Sequence, residues 1–178
     1  MKIVNFVSFQ IGWFACVLGS AYGQPVVGVV IAFALIALHF GLAGDRRAES
    51  VVVIAATALG WVAESLYHRF GLTTFDANGP WLATCPLWMV MIWALFGTTL
   101  NSSLEWLQSR RWLAAAFGAG SGPLAYFGGE RLGALRLSDD RVAATLAIAT
   151  TYTIALPVLL TLANRVRQQP MAGPGGRP

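Results

Sequence analysis

Hydrophobic positions in this chain run in six long stretches with polar punctuation between them: residues 3–21, 25–43, 50–63 continuing weakly to 70, 85–107, 112–127 and 142–163. Each approaches or reaches the roughly 20 residues of helix needed to span hydrocarbon. The pattern predicts an all-α fold, a polytopic transmembrane helix bundle of about six spans whose solvent is the membrane. Six spans with short connections consume nearly all of the 178 residues, leaving no room for a soluble domain of useful size. Residues 1–167 then form one transmembrane helical domain. The tail 168–178, with its Pro, Gly and Gln content, is expected to be disordered and cytoplasmic.

Composition sharpens this picture. Hydrophobic residues make up 56% of the chain and charged residues 11%, with a mean hydropathy of +0.62, far from soluble-domain usage. The formal charge of +4 and pI near 9.6 do not point to nucleic acid, because the basic residues are scattered at segment ends and form no patch. Their distribution reads as orientation instead. The termini with the second and fourth connections carry Lys2, Arg46, Arg47, Arg110, Arg111, Arg165, Arg167 and Arg177. The other side carries Arg69, Arg131, Arg136 and Arg141, a split of 8 to 4. The positive-inside rule then places both termini in the cytoplasm. A re-entrant fifth segment would flip the C-terminus. The amino end has features of a secretory signal, with Lys2 before an apolar run and small residues at Gly19 and Ala21. Asn5, Ser8 and Gln10 interrupt that run and a second span follows almost at once, so a retained first helix is expected.

Candidate chemistry is sparse. Glu64 and His68 lie four apart and share a helix face, with Arg69 beside them. A carboxylate at such depth is costly unless paired, so the group reads either as a structural pairing with His68 and Arg69 or as a working acid/base or ligand site. His39 reads as an interfacial residue satisfied by a loop carbonyl, and the run from Gly44 to Glu49 as a solvated turn. Cys16 and Cys85 cannot form a zinc ribbon or a CxxC motif; each reads as a small buried apolar residue, with an oxidised pair as the alternative. The aromatics Trp81 and Trp88 suit an interfacial belt, and Trp93 lies deeper. In helix 4, Asn101 and Glu105 share a face, and Glu105 is placed to pair with Arg110 or Arg111. Helix 5 carries Ala114, Gly118 and Gly122, small residues at every fourth position that permit close packing. Pro123, after a glycine run, is expected to break or kink this helix. That run is no phosphate loop, since it follows no strand and lacks the Lys-Ser/Thr ending. The hydroxyls and Pro157 of helix 6 read as packing features. No cofactor or metal is expected, as two ligand-capable side chains are too few.

The combination of Asn5-Phe6 with Phe9-Gln10-Ile11-Gly12-Trp13-Phe14, then Pro86-Leu87-Trp88-Met89, Trp93, Phe96, Thr99-Leu100, Ser103-Leu104 and Trp106-Leu107, then Gly122-Pro123-Leu124-Ala125-Tyr126 and Gly133-Ala134 resembles the DUF2878 family. The resemblance runs from the first helix to the last. It implies a multi-pass protein of the bacterial inner membrane, of a family often encoded near lipid-modifying enzymes and so connected with lipids by association only, and it carries over no catalytic residue. Three functions stay open: an accessory or scaffold protein connected with membrane-lipid metabolism, an enzyme acting on a lipid or isoprenoid chain, and a small proton-coupled transporter. The enzyme would use Glu64, His68, Tyr126, Glu130 and Arg131 converging near the outer leaflet. The transporter lacks an inverted repeat, which a homo-oligomer could supply. The expected partners are membrane lipids, lipid-modifying enzymes and a second copy of the chain. Convergence of the five residues on one pocket would favour the enzyme, and dispersed, individually paired polar groups the accessory protein.

Overall fold

The structure, a computed structural model, describes residues 2–76 and 79–168. Six α-helices account for most of it: α1 (Lys2–Ala21), α2 (Pro25–Leu42), α3 (Arg46–Arg69), α4 (Leu87–Thr99), α5 (Arg111–Arg131) and α6 (Arg141–Gln168). The all-α expectation holds. Four helices, α1, α2, α3 and α6, are long and apolar enough to cross a membrane, while α4 is a shorter apolar helix. At 21 residues α5 has the length, but its glycines dilute its apolarity. The expected cytoplasmic tail lies outside the described residues apart from Gln168, which still belongs to α6.

Local chemistry sets the corners. Gly23 takes the left-handed φ of +71° between the first two helices. Pro25 then opens α2 at the position where its missing N–H costs nothing. Asp45 starts α3 by accepting the Ala48 N–H at 3.0 Å. Sequential helices pack as hairpins, α1 with α2, α3 with α4 and α5 with α6. Helix α4 also lies against α1 and α2, and α3 against α6, so α4 is central and most of its side chains are buried. The outer helices instead present Phe6, Ile11, Val30, Phe33, Ile54 and Ile154 outward, the distribution expected of helices solvated by lipid.

The chain's first and last described residues share one end of the bundle, where Lys2 and Arg167 meet the segment joining α4 to α5. At the opposite, loop end two short antiparallel ladders tie the connections together. One pairs β1 (Thr73–Thr74) with β4 (Arg136–Leu137), the other β2 (Trp81–Leu82) with β3 (Cys85–Pro86). Cys16 and Cys85 are both free and buried, as small apolar residues would be.

Two expectations for the helices fail. Helix 4 stops at Thr99 instead of running to 107. Thr98 and Thr99 return their hydroxyls to the carbonyls of Leu95 and Phe96, at 2.7 and 2.6 Å, and the chain leaves through successive turns into a short 3-10 turn, Glu105–Leu107. Such hydroxyls compete with the helical ladder. Helix 5 is not broken: α5 continues through Pro123. A proline inside a helix crowds the carbonyl four residues back, here that of Ala119, and the glycines on either side of Ala119 are the residues best able to adjust to it. The small-residue stripe of α5 does pack closely, for a Cβ on Gly118 would stand 2.2 Å from the Tyr152 carbonyl oxygen of α6.

Candidate functional site

The residues nominated by sequence do not converge. Glu64 lies in α3 with no solvent exposure. Its Oε1 accepts the Trp93 indole N–H from α4 at 3.0 Å and the Tyr126 hydroxyl from α5. The local sequence prepares this. One turn before Glu64, Gly60 lies flat against the Trp93 ring, and a Cβ there would stand 2.0 Å from it. Tyr152 of α6 covers the indole with ring centroids 5.0 Å apart, and Tyr126 stands edge-on to both Tyr152 and Tyr67. Glu64 Oε2 and the Tyr67 hydroxyl are buried without a hydrogen-bond partner among the described residues.

The expected pairing of Glu64 with His68 and Arg69 is absent. Five residues of helix separate Glu64 from Arg69, about 7.5 Å of rise, and the neutral donors of α4 and α5 reach the carboxyl group first. His68 instead places Nδ1 3.3 Å from the Thr73 carbonyl and packs against Phe75 and Trp81. Arg69 is exposed. Glu130 is engaged at the loop end: Oε1 accepts the Leu137 N–H at 2.9 Å and Oε2 pairs with Arg141, which closes the α5–α6 hairpin. Arg131 is exposed and forms no salt bridge among the described residues. Of the five, only Glu64 and Tyr126 meet.

A different constellation occupies the end that bears the termini. There a cavity of about 460 Å³ opens between α1, α2, the start of α3, the end of α4 and the end of α6. Phe9, Leu35, Leu38 and Leu95 form its apolar part. Its organising residue is Asn5, buried in α1. The Asn5 amide donates to the Thr98 carbonyl at 3.1 Å, while its oxygen accepts the Ser103 hydroxyl at 2.9 Å and the Ser103 N–H at 3.4 Å. A carbonyl can only accept and a backbone N–H can only donate, so the amide has one orientation. Its nitrogen then faces His39 Nδ1 at 3.4 Å as a donor. On its other side His39 Nε2 donates to Glu49 Oε2 at 3.0 Å. His39 is thus satisfied by an amide and a carboxylate rather than by a loop carbonyl. Glu49 is no solvated turn residue, since its side chain is only 12% exposed.

Glu105 completes the wall. It binds Lys2 Nζ at 2.9 Å and Arg167 Nη1 at 2.7 Å, not Arg110 or Arg111, because the early end of α4 turns this segment toward the termini. The hydrogen bonds from Arg167 and Lys2 hold the Glu105 carboxyl below its usual range. Asn101 Oδ1 accepts the Gln108 amide N–H at 3.2 Å, and its own amide nitrogen is buried without a partner among the described residues. Both Asn101 and Glu105 line the cavity. Among the described residues, His, Cys, Asp and Glu side chains do not gather in threes at metal-holding distance. The sequence signal for this site was the set of polar residues interrupting the first span together with the polar end of helix 4; neither names the other.

Comparison with known proteins gives a family match over residues 2–158, to a family described as "Protein of unknown function (DUF2878)". No curated protein and no solved structure matches the chain.

Proposed function

We propose, for a chain that belongs to the DUF2878 family of proteins of unknown function, a binding role rather than a catalytic one. It is a six-segment protein of the bacterial inner membrane, with cytoplasmic termini, that holds a membrane lipid and serves as an accessory to lipid metabolism. The carrying observation is the cavity among the helix ends, apolar toward Phe9, Leu35 and Leu95 and polar toward Lys2, Glu49 and Glu105. A site with a greasy floor and a charged mouth suits an amphiphile, because each half of the ligand finds its own solvent. The basic residues around this end, Arg46, Arg47, Arg110, Arg111 and Arg165, support a cytoplasmic placement. The scatter of Glu64, His68, Glu130 and Arg131 removes the support that convergence would have lent an enzyme. A transport path gains none either: neither Glu64 nor Trp93 lines the cavity.

Lipid extraction and mass spectrometry of the purified full chain test this reading. Wild type retains about one lipid per chain, and Ser8→Trp, which fills the cavity from α1, loses it while melting like wild type. A wild-type chain free of retained lipid overturns the proposal. In a deletion strain, an altered membrane-lipid profile restored by wild type but not by Ser8→Trp ties the cavity to lipid metabolism, and an unchanged profile refutes the accessory role. Reporter fusions at both ends check the cytoplasmic termini.

A further inference from the structure

Two charged groups line this cavity, and their chemistry selects a headgroup. Lys2 at the start of α1 and Arg167 at the end of α6 are bridged by Glu105. Asp45 and Glu49, at the start of α3, form a second, acidic group. Neither group is exhausted. An ammonium group has three N–H donors and a guanidinium five, and each gives one bond to Glu105. Asp45 spends one oxygen on the Ala48 N–H, and Glu49 one on His39. Each carboxylate therefore retains an oxygen able to accept from a ligand. The buried, unpartnered amide nitrogen of Asn101 adds a neutral donor on the segment that carries Glu105.

Resting on the lipid-binding reading above, we propose that the ligand is a zwitterionic aminophospholipid. Its phosphate meets Lys2, Arg167 and the Asn101 amide, its primary ammonium meets Glu49 and Asp45, and an acyl chain lies along Phe9, Leu35 and Leu95. A purely anionic lipid satisfies the first group and is repelled by the second, since a like charge near a carboxylate is unfavourable. A trimethylammonium lipid has no N–H to give Glu49 or Asp45. It also draws its usual affinity from several aromatic faces, and among the described residues Phe9 is the one Phe, Tyr or Trp lining this cavity.

Native mass spectrometry of the delipidated full chain, titrated with single lipids of matched acyl chains, tests the assignment. Phosphatidylethanolamine should bind about tenfold more tightly than phosphatidylglycerol or phosphatidylcholine, the worth of one charge-assisted hydrogen bond. Glu49→Gln still accepts from His39, so it should melt like wild type while losing that preference. Lys2→Gln with Arg167→Gln should weaken phosphatidylethanolamine and phosphatidylglycerol alike. Equal binding of the three lipids, or a preference for phosphatidylglycerol, overturns the headgroup assignment and leaves lipid binding standing. No binding of any lipid overturns the lipid reading itself. Glycerophosphoethanolamine, the soluble headgroup, should not compete at equal concentration; if it does, the ligand is not a lipid and the proposal fails.

Discussion

The protein holds acidic side chains in two contrasting settings. At the centre of the bundle Glu64 is sealed, with one oxygen held by donors from two other helices and rings packed around it. At the termini-bearing end Glu49 and Glu105 are paired with His39, Lys2 and Arg167, yet they border open volume. The same functional group does different work in each. A fully buried carboxyl group that lines no part of the cavity acts as a cross-link, fixing how α3, α4 and α5 register against one another. Carboxylates at the rim of a cavity keep unused lone pairs that a ligand can reach. A polar residue in an apolar helix is therefore not evidence of a working site until the space around it is known.

This contrast breaks most visibly at the sealed site. Glu64→Ala orphans the Trp93 N–H and the Tyr126 hydroxyl and leaves a void, which together should cost about 3–5 kcal/mol. Glu64→Gln keeps the accepting oxygen but places an amide where Oε2 had no donor to receive and no acceptor to meet. It should cost about 1–2 kcal/mol. Thermal unfolding in detergent measures both. Neither variant should change lipid retention per folded chain, because Glu64 does not line the cavity. Loss of lipid from folded Glu64→Gln would merge the two sites into one.

Gly118→Ala comes next. Its new methyl group would meet the Tyr152 carbonyl oxygen, and backbone cannot swing aside as a side chain can. The α5–α6 hairpin must separate, at a cost of about 2–3 kcal/mol. Gly120→Ala, where a Cβ meets nothing, should be neutral or slightly stabilising, since alanine favours the helix by about 1 kcal/mol. Equal melting temperatures for the two variants would show that the stripe of small residues is not a contact.

At the cavity, Asn5→Leu removes the amide that joins α1 to Thr98, Ser103 and His39. It should cost about 1–3 kcal/mol through the orphaned partners. It should also release retained lipid, because the wall of α1 loses its anchorage. Asn5→Asp accepts from Ser103 but cannot donate to the Thr98 carbonyl, and should fall between the two. Lipid retained in full by Asn5→Leu would show that the cavity does not depend on this residue.

Much of this architecture was legible in the sequence, because hydropathy over 20 residues reports burial in lipid or in protein directly. Its failures came where a side chain answers a partner far along the chain. Thr98 and Thr99 carry hydroxyls able to bond their own helix, but nothing in their spacing says that doing so at the end of α4 stops it. Glu64 and Tyr126 were both nominated, yet their direct hydrogen bond, shared with Trp93 seated in a slot made by Gly60, is a juxtaposition that no local spacing encodes. Glu49 sat in a charged run that reads as a solvated turn, and only its pairing with His39 from α2 takes it out of water. Asn5 was noticed as an interruption of the first span; its reason lies about a hundred residues away, at Thr98 and Ser103.

The smallest expected effect sharpens the open side of the comparison. Because Arg167 and Lys2 depress the Glu105 carboxyl in the folded chain, the ionised form is favoured by folding. The resulting stability is fully present above the ordinary carboxylate range. It is lost as the pH falls through the lower, folded value, since the unfolded chain takes up its proton first. The Lys2 and Arg167 side chains are 63% and 42% exposed, so solvent and salt screen the pairs and their joint worth should be below about 1 kcal/mol. Melting temperature recorded on lowering the pH toward 4 should therefore drop slightly more for wild type than for Glu105→Gln, with the gap closing at high salt. A larger gap, unmoved by salt, would mean that Glu105 is as sealed as Glu64 and that this end of the bundle is not open to a ligand.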